Sequence, residues 1–136
     1  MKTYLDTSIL VSAIHLDDHS SRVTAWLAST DVIWSRWALT EISSALAVQV
    51  RMGRLADKAR RGLEIRLDAW LGGREVIDVL NEDVVLARDL VRGDVRLRAP
   101  DALHLAIALR EGLPLATLDR DMAAAARDAG LVVLTP

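Results

Sequence analysis

The sequence predicts an α/β fold, a three-layer α/β/α sandwich around a central parallel sheet of about five strands. Three observations predict it. Short apolar runs alternate along the chain with longer segments of helical periodicity. The 136 residues are 51% hydrophobic, enough for one domain with its own core. There is no cysteine, so neither a disulfide scaffold nor a thiolate metal site is available.

The elements follow in order. Lys2 to Leu5 reads as a first strand, and Ser8 to His15 and Ser20 to Ala28 as helices. Val32 to Trp34 is a second strand. A long helix runs from about Arg36 to Met52 and ends at Gly53; another runs from about Ala56 to Leu71. Glu75 to Val79 is a third strand, followed by a helix to about Arg92. Pro100 opens a strongly apolar helix to about Arg110. Gly112-Leu113-Pro114 turns the chain into a fourth strand, Leu115 to Leu118. A short Ala-rich helix leads to a last strand, Leu131 to Leu134. Strands separated by helices pair in parallel, with crossover helices on both faces. No repeat, low-complexity tract or linker interrupts residues 1–136, which read as a single domain; Gly72-Gly73 is a turn.

The longest uncharged run, Thr7 to Leu16, is ten residues and too short to span a membrane. Asp6 follows Met1-Lys2-Thr3-Tyr4-Leu5 before an apolar signal core forms. A cytoplasmic location is expected.

Open parallel sheets bind ligands beyond the C-terminal ends of their strands. Asp6 follows the first strand and Asp119 the fourth. Each alone also suits a helix N-cap. Glu41 sits on an apolar stripe with Trp37, Ala38, Ala45 and Val48 around it, and only Ser44 is polar. Asp101 opens a helix in which His104 is the one polar residue between Ala102 and Leu109. Favourable charge at a helix N-terminus explains Asp101 taken singly. Four such acids together need either protons or a cation. All-oxygen ligands without cysteine favour Mg²⁺, with Mn²⁺ as substitute, over zinc. His15 and His19 have no histidine partner on one helix face, and His104 reads as a packed or hydrogen-bonded helix residue.

Thr7 and Ser8 follow Asp6, and Thr117 precedes Asp119 by two. They serve either as caps and turn formers or as groups that orient the carboxylates. No nucleophile elbow surrounds them, and no glycine-rich phosphate loop is present. A cation in a carboxylate cage suits phosphodiester hydrolysis by an activated water.

Tyr4-Leu5-Asp6-Thr7-Ser8, Thr40-Glu41-Ile42, Arg98-Ala99-Pro100-Asp101-Ala102-Leu103-His104-Leu105-Ala106 and Leu115-Ala116-Thr117-Leu118-Asp119-Arg120 occur in this order. Together they resemble a PIN domain, most closely a VapC-type toxin of a toxin–antitoxin pair, over essentially the whole chain. The resemblance implies a PIN-like fold and a Mg²⁺-dependent endoribonuclease. It also implies a homodimer that a cognate VapB-type antitoxin neutralises. The family's four acids fall on Asp6, Glu41, Asp101 and Asp119, and its small hydroxyl residue on Ser8. Asp6 and Asp101 are then the principal metal ligands, and Glu41 and Asp119 complete the cage. Asp121 reads first as early-helix charge. Met122 departs from a phenylalanine that many members carry, a change confined to packing.

Residues 51–66 carry a local charge of +4, and residues 88–98 a local +2. They read as a solvated face or as a track for an RNA backbone, with Arg51, Arg54, Lys58 and Arg61 at near-helical spacing. Gly53 interrupts that geometry. Trp26, Trp34, Trp37 and Trp70 offer stacking surfaces, although the strand and helix positions of Trp34 and Trp37 place them in core or interface. The formal net charge of −2 does not exclude nucleic acid, because four cation-neutralised carboxylates would turn it into about +2. The alternative is a non-catalytic Mg²⁺-binding signalling module or a regulatory nucleic-acid-binding domain. A receiver-like module needs a lysine near its last strands, and none follows Lys58.

Overall fold

A computed structural model describes residues 2–14 and 18–136. The chain runs β1 (Thr3–Leu5), α1 (Thr7–Ile14), α2 (Ser20–Ala28), β2 (Val32–Ser35), α3 (Trp37–Arg51) and α4 (Asp57–Gly72). It continues through β3 (Glu75–Ile77), α5 (Asn81–Gly93), α6 (Ala99–Glu111), β4 (Leu115–Ala116), α7 (Arg120–Asp128) and β5 (Val133–Leu134). The five strands form one parallel sheet in the order β3-β2-β1-β4-β5. The predicted α/β/α sandwich is the observed architecture. His15, placed at the end of the first helix by its sequence, lies outside the described residues.

Two apolar cores lie on opposite faces of this sheet. Tyr4, Ile33 and Leu115 point into the core built with α5, α6 and α7. Leu5, Val32, Trp34 and Ala116 point into the core built with α1, α2, α3 and α4. Successive strand residues alternate between faces, and both faces are covered, so every residue of β1 is buried. This explains why β1 and β2 read as largely apolar runs.

Several strands are shorter than the sequence suggests. The third ends at Ile77 rather than Val79, and the fourth at Ala116 rather than Leu118. The ladder stops where the chain turns toward the following helix, while the apolar pattern continues into the loop. The helices end at recognisable stops. Gly53 has φ +70° and lets Arg54 N–H reach back to Gln49 O at 2.9 Å, closing α3. Gly112 does the same for α6 with φ +64°, and Leu113 N–H bonds to Ala108 O at 3.0 Å.

The strand order fixes where a site can form. From β1 the chain builds outward through β2 and β3, then crosses back to place β4 on the other side of β1. The crevice between the C-terminal ends of β1 and β4 is therefore the topological switch point. Asp6 leaves β1 at that point, and Thr117 and Asp119 leave β4 beside it.

Candidate active site

Asp6 is 3% exposed and is held by three donors. Ser8 N–H donates to Oδ1 at 2.6 Å, Ser8 Oγ donates to Oδ2 at 3.0 Å, and Thr117 Oγ1 also donates to Oδ2. Both hydroxyls are set in turn by the backbone after β4. Leu118 N–H donates to Ser8 Oγ at 3.0 Å, and Asp119 N–H donates to Thr117 Oγ1 at 3.0 Å. The chain segments leaving β1 and β4 are thus laced together around one carboxylate. Burial pushes the Asp6 carboxyl above its ordinary value, and His104, Thr117 and Ser8 work against that shift.

Glu41 projects from α3 with 18% of its side chain exposed. Its Oε1 accepts from Thr7 Oγ1 at 2.8 Å and also meets His104 Nε2. Asp101 lies in the first turn of α6 and is partly buried. Burial pushes its carboxyl up to about 6, and the negative charges of Asp119, Asp6 and Glu41 add to the rise. Asp119 caps α7, its Oδ1 accepting from Met122 N–H at 2.9 Å. Both readings of Asp119 therefore coexist, because capping occupies one oxygen and its charge still acts on Asp101. Asp121 is exposed on the first turn of α7.

The four acids come from the ends of β1 and β4 and from α3 and α6, and three of them act electrostatically on the fourth. Among the described residues, no three Asp, Glu or His side chains stand close enough to make a finished ligand sphere. The donor chemistry nevertheless fits a hard divalent cation. The carboxylates offer oxygen only, and the repulsion of Asp101 by Asp119, Asp6 and Glu41 favours whatever brings positive charge beside it.

Sequence reasoning missed the group behind Glu41. Tyr4, Ser35 and His104 are each fully buried. The Tyr4 hydroxyl is hydrogen-bonded to Ser35 Oγ at 2.8 Å and to His104 Nδ1 at 2.7 Å. The available signal was His104 itself, a lone polar residue on a helix buried nearly all round.

The remaining predicted residues lie outside the four acidic motifs, although Arg51 shares α3 with Glu41. Arg51 ends α3, Arg54 sits in the following turn, and Lys58 and Arg61 are on α4; all four are exposed. Arg61 pairs with Asp57 at 3.4 Å. Trp34 is 5% exposed and belongs to the core. Trp26 and Trp70 pack against that core, and the Arg74 guanidinium covers the Trp70 ring at 3.5 Å. An apolar groove of about 620 Å³ opens between α1, α2 and α4, lined by Leu10, Ile14, Leu27, Leu63, Leu67 and Trp70. No helix among the described residues is long and apolar enough to cross a membrane.

A parallel sheet with acidic residues gathered at its switch point defines a class of carboxylate-rimmed α/β domains. The PIN domain family model matches residues 3–128, and the chain belongs to that family. Among solved structures it is similar to *Mycobacterium tuberculosis* VapC20, a sarcin-ricin loop cleaving toxin, with 25% identity and a TM-score of 0.74. That match covers 98% of this chain and 99% of the other. It is also similar to FitAcB from *Neisseria gonorrhoeae*, with 24% identity, a TM-score of 0.73 and coverage of 100% and 98%. VapBC2 from *Rickettsia felis*, solved with a promoter DNA fragment, shows 19% identity and a TM-score of 0.68, covering 98% of each chain. No curated protein matches in sequence.

Proposed function

We propose that this chain is a metal-dependent endoribonuclease and the toxin of a VapBC-type toxin–antitoxin pair. The observation that carries the reading is the buried Asp6 carboxylate, held by Ser8 and Thr117 where β1 and β4 end at the switch point of a PIN-domain sheet. Mg²⁺, or Mn²⁺ in its place, would supply charge to offset the phosphate and the acidity that makes water a nucleophile near neutral pH. Asp6 and Asp101 would be its principal ligands, with Glu41 and Asp119 completing the set or orienting the attacking water. In the net reaction the water oxygen bonds to phosphorus, the P–O ester bond breaks, and the proton that the water gives up is balanced by the one taken by the leaving oxygen.

The chain's own groups prepare this site. Ser8 and Thr117 hold Asp6 in one orientation, and Thr7 holds Glu41. Arg51, Arg54, Lys58 and Arg61 are the proposed contacts to the RNA backbone. A cognate VapB-type antitoxin is the proposed partner, supported by structural neighbours that are themselves toxin–antitoxin complexes. The apolar groove between α1, α2 and α4 suits the apolar face of a partner helix. A homodimer acting in the cytoplasm completes the proposal.

The direct test is cleavage of total RNA in Mg²⁺. Asp6→Asn is expected to abolish cleavage while the protein stays folded, and EDTA to abolish it in the unaltered chain. Cleavage by Asp6→Asn at the rate of the unaltered chain would refute the mechanism.

A further inference from the structure

We propose that His104 is a positioning residue for Glu41, and that Tyr4 and Ser35 hold its ring in place for that task. The inference rests on the metal-site reading above and adds to it residues outside the four-acid pattern.

The geometry is a continuous buried chain across the C-terminal rim of the sheet. Ser35 ends β2, Tyr4 lies in the middle of β1, His104 projects from α6, and Glu41 and Thr7 belong to α3 and α1. Tyr4 Oη donates to Ser35 Oγ at 2.8 Å and is hydrogen-bonded to His104 Nδ1 at 2.7 Å, and His104 Nε2 meets Glu41 Oε1. His104 Nε2 also lies 3.0 Å from Thr7 Oγ1, which donates to the same Glu41 oxygen at 2.8 Å. The chain therefore joins the helix layer of α6 to the layer of α1 and α3.

Where a carboxylate is the acceptor, the donor in the bond to Glu41 Oε1 is the imidazole N–H at Nε2. The bond that the other nitrogen makes fixes the ring's orientation. Tyr4 makes that bond, and its ring lies 5.7 Å from the imidazole, centroid to centroid, at 52°. Glu41 Oε1 is thereby held by Thr7 and His104. Oε2 has no hydrogen-bond partner among the described residues and is left for a ligand. A side chain needed only to fill space would be aliphatic, like the neighbouring Leu105, Ala106 and Ile107, because a buried imidazole costs free energy unless its nitrogens are met.

The test compares two substitutions that keep opposite halves of the imidazole. In His104→Gln the amide reaches the Nε2 position and still donates to Glu41. In His104→Asn it reaches only the Nδ1 position, next to Tyr4. The readout is Mn²⁺ binding, followed by electron paramagnetic resonance of free Mn²⁺, with thermal unfolding in chelator as the folding control. His104→Asn is expected to weaken Mn²⁺ binding about 10- to 100-fold, as loss of a group orienting a ligand does, and His104→Gln to recover most of it. Equal, unchanged affinities in two folded variants would overturn the proposal. Should either variant fail to fold, the unaltered protein carries the test. The buried Nε2–H should give a slowly exchanging imidazole NMR signal that shifts as Mg²⁺ is added, and an unmoved signal at saturation would overturn the proposal. Absence of Mn²⁺ binding by the unaltered chain would instead remove the metal-site reading itself, so the two failures are distinguishable.

Discussion

Asp101→Asn should stabilise the metal-free protein while removing its metal site. The folded Asp101 carboxyl is pushed from 3.8 to about 6, chiefly by burial and then by Asp119, Asp6 and Glu41. At about 1.4 kcal/mol per pKa unit, ionising it costs the folded apoprotein up to about 3 kcal/mol at neutral pH. Partial solvent access brings this to roughly 1–2 kcal/mol. Asparagine removes the charge and forfeits its interaction with the N-terminus of α6, worth about 0.5 kcal/mol. The variant should therefore be about 1 kcal/mol more stable in chelator at pH 7.5, a rise in Tm of about 3 °C. The folded carboxyl binds its proton more tightly than the unfolded one. The unaltered apoprotein consequently loses this stability as pH rises from about 4 through 6. The advantage of the variant should be near zero at pH 4 and fully developed by pH 7.5. Urea titrations at both values measure it. Mg²⁺ should reverse the order, adding about 2.7 kcal/mol to the unaltered protein at a hundredfold excess over Kd. A variant less stable at pH 7.5 in chelator, or a difference independent of pH, would refute the electrostatic account of the site.

Other expectations concern neighbouring parts of the molecule. Asp83 is 1% exposed, and Arg110 Nε bonds its Oδ1 at 2.7 Å, so Arg110→Met should cost about 3–5 kcal/mol in urea unfolding. A loss below about 1 kcal/mol would show that the pair is dispensable. Thr117→Val leaves Asp6 Oδ2 and the Asp119 N–H each short of a partner. It should cost about 1–3 kcal/mol and slow cleavage at least about tenfold, and an unchanged rate would separate Asp6 orientation from activity. Replacing Arg51, Arg54, Lys58 and Arg61 together by Ala should lower the salt dependence of RNA binding by about 0.7 per lost phosphate contact. An unchanged slope would take this face off the RNA path.

Much of the architecture was legible because burial leaves a periodic record. β1 and β2 read as apolar runs since both faces of the sheet are covered, and α6 reads as buried because only His104 interrupts the apolar residues from Ala102 to Leu109. The boundaries of β3 and β4 were less legible. Apolar character continues past the last ladder bond, so hydropathy overstates a strand that ends where pairing ends. The basic segment illustrates another limit. Its net charge could be counted, but which basic side chain the acids engage, Arg60 bonding to both Asp57 and Glu64, depends on which turn of α4 each side chain occupies.

The sequence by itself determined that this is an α/β chain with two acids following strands and two on helices that are largely apolar nearby. Those properties depend on local order, which hydropathy and spacing encode directly. Only the tertiary structure decided that the crossing between β3 and β4 puts β4 beside β1, so that Asp6 and Thr117 meet across a separation of 111 residues. It likewise decided that His104 reaches Tyr4, 100 residues earlier, with one nitrogen and Glu41, 63 residues earlier, with the other. Hydrogen bonds act over about 3 Å, and no spacing rule in one dimension fixes which distant residues come that close.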